Sequence, residues 1–158
     1  MVKFTASMVA LALAITTTAA PAPTSHTTFS FAQWVEDIIA NPDTALSPEE
    51  AVTAANAADI VTSAGGLTKR AFCQDLFKDA PAGDAAACLD DLARKGAQGV
   101  QCGLSTFDIQ MCRIGGAQLA ASKRDTNPLS ANCHDVARTG GLIFDSCWRA
   151  DNTVKGSE

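Results

Sequence analysis

The most reactive residues in this chain are six cysteines, Cys73, Cys88, Cys102, Cys112, Cys133 and Cys147, all placed after residue 70. An even set of cysteines at long spacings reads as a disulfide framework, because the secretory pathway oxidises thiols that the cytosol keeps reduced. Zinc binding would call for close pairs such as C-x-x-C with neighbouring histidines. No such pair occurs, and the cysteine-bearing part holds one histidine, His134. The second reactive feature is the dibasic pair Lys69-Arg70, set just behind Gly65-Gly66. Lys-Arg in an accessible stretch of a secreted precursor is the substrate of a kexin-type protease. Lys123-Arg124 repeats the pair inside a polar loop and reads first as ordinary surface, the alternative being a second processing site that would leave two chains held by disulfides.

Catalytic constellations are thin. His134-Asp135 would suit a hydrolase, but adjacent residues on a helix point in different directions, and an acidic residue near a helix start complements the dipole. Asp90-Asp91 offers two carboxylates, as glycoside hydrolysis needs, yet they too diverge on a helix and read as a solvated face. There is no tyrosine, no glycine-rich phosphate loop and no serine in a nucleophile elbow. The sequence therefore assigns no catalytic, cofactor-binding or metal-binding residue and reads as a non-enzyme. Trp148, directly after the last cysteine, is the candidate binding residue, since aromatic rings stack on sugars and anchor protein interfaces. The competing role for Trp148 is to close a small core.

The elements that must position these residues divide the chain in three. Residues 1–19 have a basic start at Lys3, an apolar run from Met8 to Ile15, and small residues at Thr17 and Ala19, the pattern of a secretory signal peptide. The run from Phe4 to Ile15 is shorter than the ~20 apolar residues of a membrane span, so secretion to the extracellular space is expected and stable membrane insertion is not. Residues 20–70 form a pro-segment with two helices. Ser30 and Gln33 open the first, and Phe31, Trp34, Val35 and Ile38 follow at helical spacing until Asn41-Pro42. Ser47, Pro48 and Glu50 open the second. Such a segment either packs its Trp34 face on the cysteine-rich part during folding or acts as a spacer.

Residues 71–158 are the mature cysteine-rich domain. They carry nine Lys or Arg and eleven Asp or Glu, a net charge of −2. With no basic tract, this balance excludes phosphate-tracking nucleic-acid binding and attraction to anionic lipid. A domain so small buries a limited core, and three disulfides at about 2–4 kcal/mol each supply as much stability as its whole net folding energy. A helix is expected from a cap at Asp84 to Gly96, with Ala85, Cys88, Leu89 and Leu92 on one face. Strands follow at Val100 to Leu104 and Phe107 to Cys112. Ala117, Leu119 and Ala121 continue the alternation, either past a bulge or as a third strand. Ser130 is read as the cap of a second helix whose stripe includes Cys133, Val136, Ala137, Gly140, Ile143, Phe144 and Cys147. Gly140-Gly141 would weaken that helix by ~1 kcal/mol each, a cost that a close approach to the sheet or the other helix would explain. A continuous helix holds Cys133 and Cys147 about 21 Å apart, too far to pair. Asn152-Thr153-Val154 begins a final strand. The expected fold is α+β, a small disulfide-stapled α/β sandwich with two helices packed on a small antiparallel sheet.

The stretch from Phe31 to Pro42, Leu46-Ser47-Pro48-Glu49-Glu50-Ala51, Lys69-Arg70, the helix from Asp84 to Leu92, Cys133-His134-Asp135-Val136-Ala137 and Asp151-Asn152-Thr153-Val154 resemble small secreted proteins of filamentous fungi. In element order the domain is similar to the kexin-processed, killer-toxin-like effectors related to the virally encoded toxin of corn smut, whose last strand would be only beginning at Glu158. A weaker similarity is to mushroom glycan-binding proteins. The resemblance implies a non-enzymatic secreted effector or killer-toxin-like protein that binds a surface target on a host or competitor cell. A carbohydrate-binding protein is the first alternative and a small hydrolase the second. The partners implied are an extracellular protein or glycan and, during maturation, the kexin-type protease. Intact-mass analysis of the secreted product is expected to give a chain starting at Ala71, with reduction adding two hydrogens for each of three bridges.

Overall fold

The computed structural model describes residues 29–58, 71–73 and 78–158. The signal segment 1–19 and the pair Lys69-Arg70 lie outside the described residues. Among the described residues there are four helices: α1 (Phe31–Ala40), α2 (Pro48–Ala57), α3 (Ala82–Ala97) and α4 (Cys133–Cys147). Between and around them run β1 (Ala80–Pro81), β2 (Gln101–Leu104), β3 (Asp108–Ile114), β4 (Ala117–Ser122), β5 (Leu129–Asn132) and β6 (Thr153–Val154). The fold is α+β, with small antiparallel ladders and three disulfides.

Each helix forms for a local reason. The Ser30 hydroxyl accepts from the Gln33 N–H, and Ser47 and Glu50 make a reciprocal capping box with Pro48 at the first position. In α3 the buried positions Ala82, Ala86, Leu89, Ala93 and Gly96 recur every three to four residues and draw one apolar stripe. The cap expected at Asp84 is not one. The helix starts two residues earlier, after Pro81, where the Ala82 N–H donates to the Asn152 carbonyl 2.9 Å away. Asp84 turns instead to the β3–β4 turn, where it accepts from the Gly116 N–H at 2.7 Å. Gly96 also differs from expectation: it lies inside α3, and the left-handed residue past the end is Gly99, at φ 80°.

Among the described residues, the single sheet expected is split into three two-stranded antiparallel ladders, β1–β6, β2–β5 and β3–β4. Residues Ala117 to Ser122 are a strand of their own, closing a hairpin on β3 through the Gly115-Gly116 turn, with an irregularity between Gln110 and Cys112. Gly115 takes φ 51°, in the region open to glycine. The strand partner of β2 is β5, which contains the expected cap Ser130. The cap of α4 is Asn132, whose side chain accepts from the His134 N–H at 3.0 Å. Polar residues around Ser130 masked a strand because it is held by pairing with β2 rather than by burial. The final strand does form, although short, pairing Thr153 with Pro81 and Val154 with Ala80. Farther on, Phe72 and Ser157 exchange backbone hydrogen bonds.

Disulfides join Cys73 to Cys147, Cys88 to Cys112 and Cys102 to Cys133. Cys133 and Cys147 sit at opposite ends of an unbroken α4 and do not pair, as the helical rise requires. Two of the bridges close spans of 74 and 31 residues and hold the two ends of α4. The third ties α3 to β3. In the entropic account, the 74-residue span removes the most freedom from the unfolded chain.

Gly140 faces Leu89 of α3 and Leu119 of β4 so closely that an added Cβ would overlap the Leu89 side chain. Gly141 faces α1, with the Ala32 Cα 2.9 Å from where its Cβ would be. The paired glycines therefore let three elements approach α4. Lys123 is only 7% exposed, and its ammonium donates to the Asn127 carbonyl at 2.7 Å. The ordinary surface expected of Lys123-Arg124 therefore holds for Arg124, which is exposed, and not for Lys123, which is buried.

Two glycines of α3 test this packing. At Gly96 a methyl would run into the backbone of His134, whereas at Gly83 it meets nothing within 4 Å. Gly96→Ala is expected to lower stability by about 1–3 kcal/mol despite its better helix propensity. Gly83→Ala should raise it by about 0.4–1 kcal/mol. Urea unfolding midpoints of the two variants measure both.

Candidate binding face beneath the N-terminal helices

The largest fully buried side chains include Trp34, Phe31, Ile38 and Val35, all on α1 and all ahead of Lys69-Arg70. α1 lies against α3 and α4, and α2 against α3, so both helices expected in the pro-segment pack on the cysteine-rich part. The core is one cluster that runs from these helices through Leu89, Leu92 and Ala93 to Phe144 and Cys147.

At its centre is an aromatic stack. The Phe31 ring lies 3.8 Å from that of Phe144 and 5.3 Å from that of Trp148, near parallel to both. Phe29 and Trp34 meet Phe31 edge-on at 5.0 and 5.9 Å. Trp148 follows the last turn of α4, where its N–H closes on the Phe144 carbonyl. It is half-buried, with one side of its ring lent to the core by the N-terminal segment. Of the two roles weighed for Trp148, the packing shows the core-closing one, and what it closes against is α1.

Polar contacts set the register. Asp145 of α4 accepts from the Ser30 hydroxyl at 2.7 Å, the Phe31 N–H at 2.6 Å and the Ala32 N–H at 3.0 Å. The last two are N–H groups that a helix start leaves unpaired, met by a carboxylate at the positive end of the dipole. Arg138 grips Glu36 with two donors, Nε at 2.6 Å and an Nη at 2.9 Å, and reaches Asp135 at 3.0 Å with the other. The two hydrogen bonds from Arg138, and its charge, hold the Glu36 carboxyl below the usual carboxylate range. Arg94 of α3 donates to the Pro42 carbonyl at 2.6 Å beyond the end of α1. An open groove of about 360 Å³ follows the seam, lined by Ser30, Ala32, Gln33, Glu36, Arg138 and Leu142.

The other candidates fall elsewhere. Contrary to the expectation that neighbours on a helix diverge, His134 Nε2 lies 3.2 Å from an Asp135 carboxylate oxygen. The same carboxylate oxygen also receives Arg138. Asp90 and Asp91 do diverge, each held by the basic residue four positions on, Arg94 and Lys95 respectively. All six cysteines are bonded. Sequence reasoning missed Arg138 and Asp145. Their signal was present: Arg138, Gly141 and Asp145 follow the i, i+3, i+7 spacing of one helical stripe, a charge on either side of a glycine.

Residues 68–158 match the model of a domain of unknown function, DUF8794. The chain belongs to this family. The matched region holds α3, α4, every strand and all three disulfides, and it leaves out α1 and α2. No curated protein and no solved structure matches the chain. Within the DUF8794 domain, the face that receives α1 is built from Phe144, Trp148, Asp145, Gly141 and Arg138, all but Trp148 within α4.

Magnitudes rank these contacts. Glu36 and Arg138 are each more than a third exposed, so their pair contributes about 0–1 kcal/mol after solvent screening. Truncating buried Phe31 to Ala is expected to cost about 3–5 kcal/mol. The lowered Glu36 pKa means that its share is full above the ordinary carboxylate range and is lost as pH falls through the lowered value. Denaturant titrations at pH 7 and pH 3 should show Glu36→Gln costing under about 1 kcal/mol at pH 7. At pH 3 the gap from wild type should be smaller, while Phe31→Ala remains severe at both.

Proposed function

We propose that this chain is the precursor of a secreted, non-enzymatic effector or killer-toxin-like protein, which acts by binding a surface target on a host or competitor cell. In this reading residues 1–19 are the signal peptide. Residues 20–70 are a pro-segment removed by a kexin-type protease after Lys69-Arg70, and residues 71–158 are the mature domain, a disulfide-stapled α/β sandwich of the killer-toxin-like kind. The single observation that carries it is the Phe31 ring laid on Phe144 and Trp148. A segment ahead of a processing site covers the paired aromatic rings of the domain behind it, which fits a binding face kept masked until maturation. Two facts add support. The family match begins at residue 68, beside the dibasic pair, and three disulfides in a small domain suit an oxidising extracellular setting.

The hydrolase reading is less economical, because Asp135 is shared with Arg138 and every cysteine is bonded. Carbohydrate binding through Trp148 draws on the same aromatic face and is separated by its ligand. The test compares secreted protein cut at Arg70 with an uncuttable chain carrying Lys69→Ala and Arg70→Ala, both labelled and titrated on intact target cells. Cut protein should bind, uncut protein should bind at least about tenfold more weakly, and Trp148→Ala should abolish binding. Equal binding by cut and uncut chains would overturn the masking. Glycan-array binding lost with Trp148→Ala would favour the carbohydrate reading, and turnover lost with His134→Ala would favour the hydrolase.

A further inference from the structure

The contacts on the covered face have a geometry that a flat apolar patch or a sugar platform would not need. Asp145 offers one carboxylate to three donors of a helix start, the hydroxyl of the residue before it and the first two backbone N–H groups. Such donors, converging within one turn, are what a helix N-terminus presents. Gly141 removes the one side chain that would hold a second helix away, so that the Ala32 backbone comes to 2.9 Å from the missing Cβ. Phe144 and Trp148 form a slot for an aromatic ring in the first turn of the incoming helix. Arg138 meets a carboxylate five residues beyond that ring with paired donors. Asp145, Gly141 and Arg138 therefore read, in order along α4, the start, the backbone and the acidic flank of an antiparallel helix.

From this we infer that the face is a receptor for an amphipathic helix, and that the target presents such a helix: a capping hydroxyl, an aromatic residue next, and an acidic residue five positions farther on. Residues 29–57 of this chain are then the resident occupant, an internal mimic that the target's helix must replace after cleavage. This rests on the proposed reading that the domain acts by binding a cell-surface target. Helix-in-groove recognition places apolar anchors at one-turn spacings with charges at the rim to fix polarity and register, and Phe31, Trp34, Val35 and Ile38 with Glu36 at the rim follow that pattern. The segment contains no cysteine, so once Arg70 is cut only non-covalent contacts hold it and exchange is open.

The experiment uses the full chain after cleavage at Arg70. A library of helical peptides is selected for displacement of a labelled synthetic peptide of residues 29–57 from the cut protein. The enriched sequences should share a hydroxyl or other cap, an aromatic residue directly after it, and Asp or Glu five positions beyond the aromatic. Selection on Arg138→Glu should exchange that acidic position for Lys or Arg. The best peptide should weaken at least about tenfold on Arg138→Glu, and a peptide with Lys at that position should recover. Enriched peptides with no such pattern, or a preference that Arg138→Glu leaves unchanged, would overturn the inference. In a second arm the best peptide is titrated against binding of the cut protein to target cells. Competition is expected. Cell binding that persists with the face saturated by peptide would overturn the helix as the target's ligand while leaving the secreted binder intact. No cell binding with or without peptide would instead condemn the preceding reading.

Discussion

Helix α4 is fastened at both ends, and most of the molecule depends on that constraint. Its first residue, Cys133, is bonded to Cys102 in β2, and its last, Cys147, to Cys73. Between these points the helix contains Gly140 and Gly141, which lower its own stability by about 2 kcal/mol together relative to alanine. A helix pinned by covalent bonds tolerates that weakness. In return it lets neighbours come closer than any side chain allows, Leu89 and Leu119 at Gly140 and the backbone of α1 at Gly141. The cysteines and the glycines are two halves of one arrangement, since the bonds hold the helix and the glycines make room around it.

The close approach on the α1 side gives the core its asymmetry. The cysteine-rich part supplies Leu89, Leu92, Ala93 and Phe144, while Phe31, Trp34, Val35 and Ile38 come from α1. A face stripped of α1 would present Phe144 and Trp148 beside Asp145 and Arg138. Contiguous apolar patches of this sort on small soluble domains mark sites of interaction. In the proposed reading, stability and binding draw on the same side chains, and the segment that completes the fold also covers the binding surface.

Much of this was legible in residue order, for identifiable reasons. Ser30, Ser47 and Glu50 mark helix starts through bonds spanning three residues, so α1 and α2 needed no tertiary information. The stripe from Cys133 to Cys147 was clear because helical periodicity is local. The stretch around Ser130 was not, since β5 exists by pairing with Gln101 to Leu104 across a distant stretch of chain. Asp84 looked like a cap because it stands where caps stand, but the β3–β4 turn supplied a better donor in Gly116. His134 and Asp135 show the same limit: ideal helix geometry separates them, and the first turn of α4 brings them together.

Cysteine spacing, capping residues and the apolar stripes, all local or compositional properties, were enough to determine an α+β, disulfide-stapled domain with two helices ahead of a dibasic pair. Covalent geometry also forbade one pairing, because a helix rises by a constant amount per residue. Which cysteines do join, how six strands sort into three ladders, and what lies against Trp148 were decided only in three dimensions. Each is a contact between segments far apart in sequence, and its free energy depends on shape, on Gly141 leaving space for Ala32 and on Asp145 meeting the start of α1.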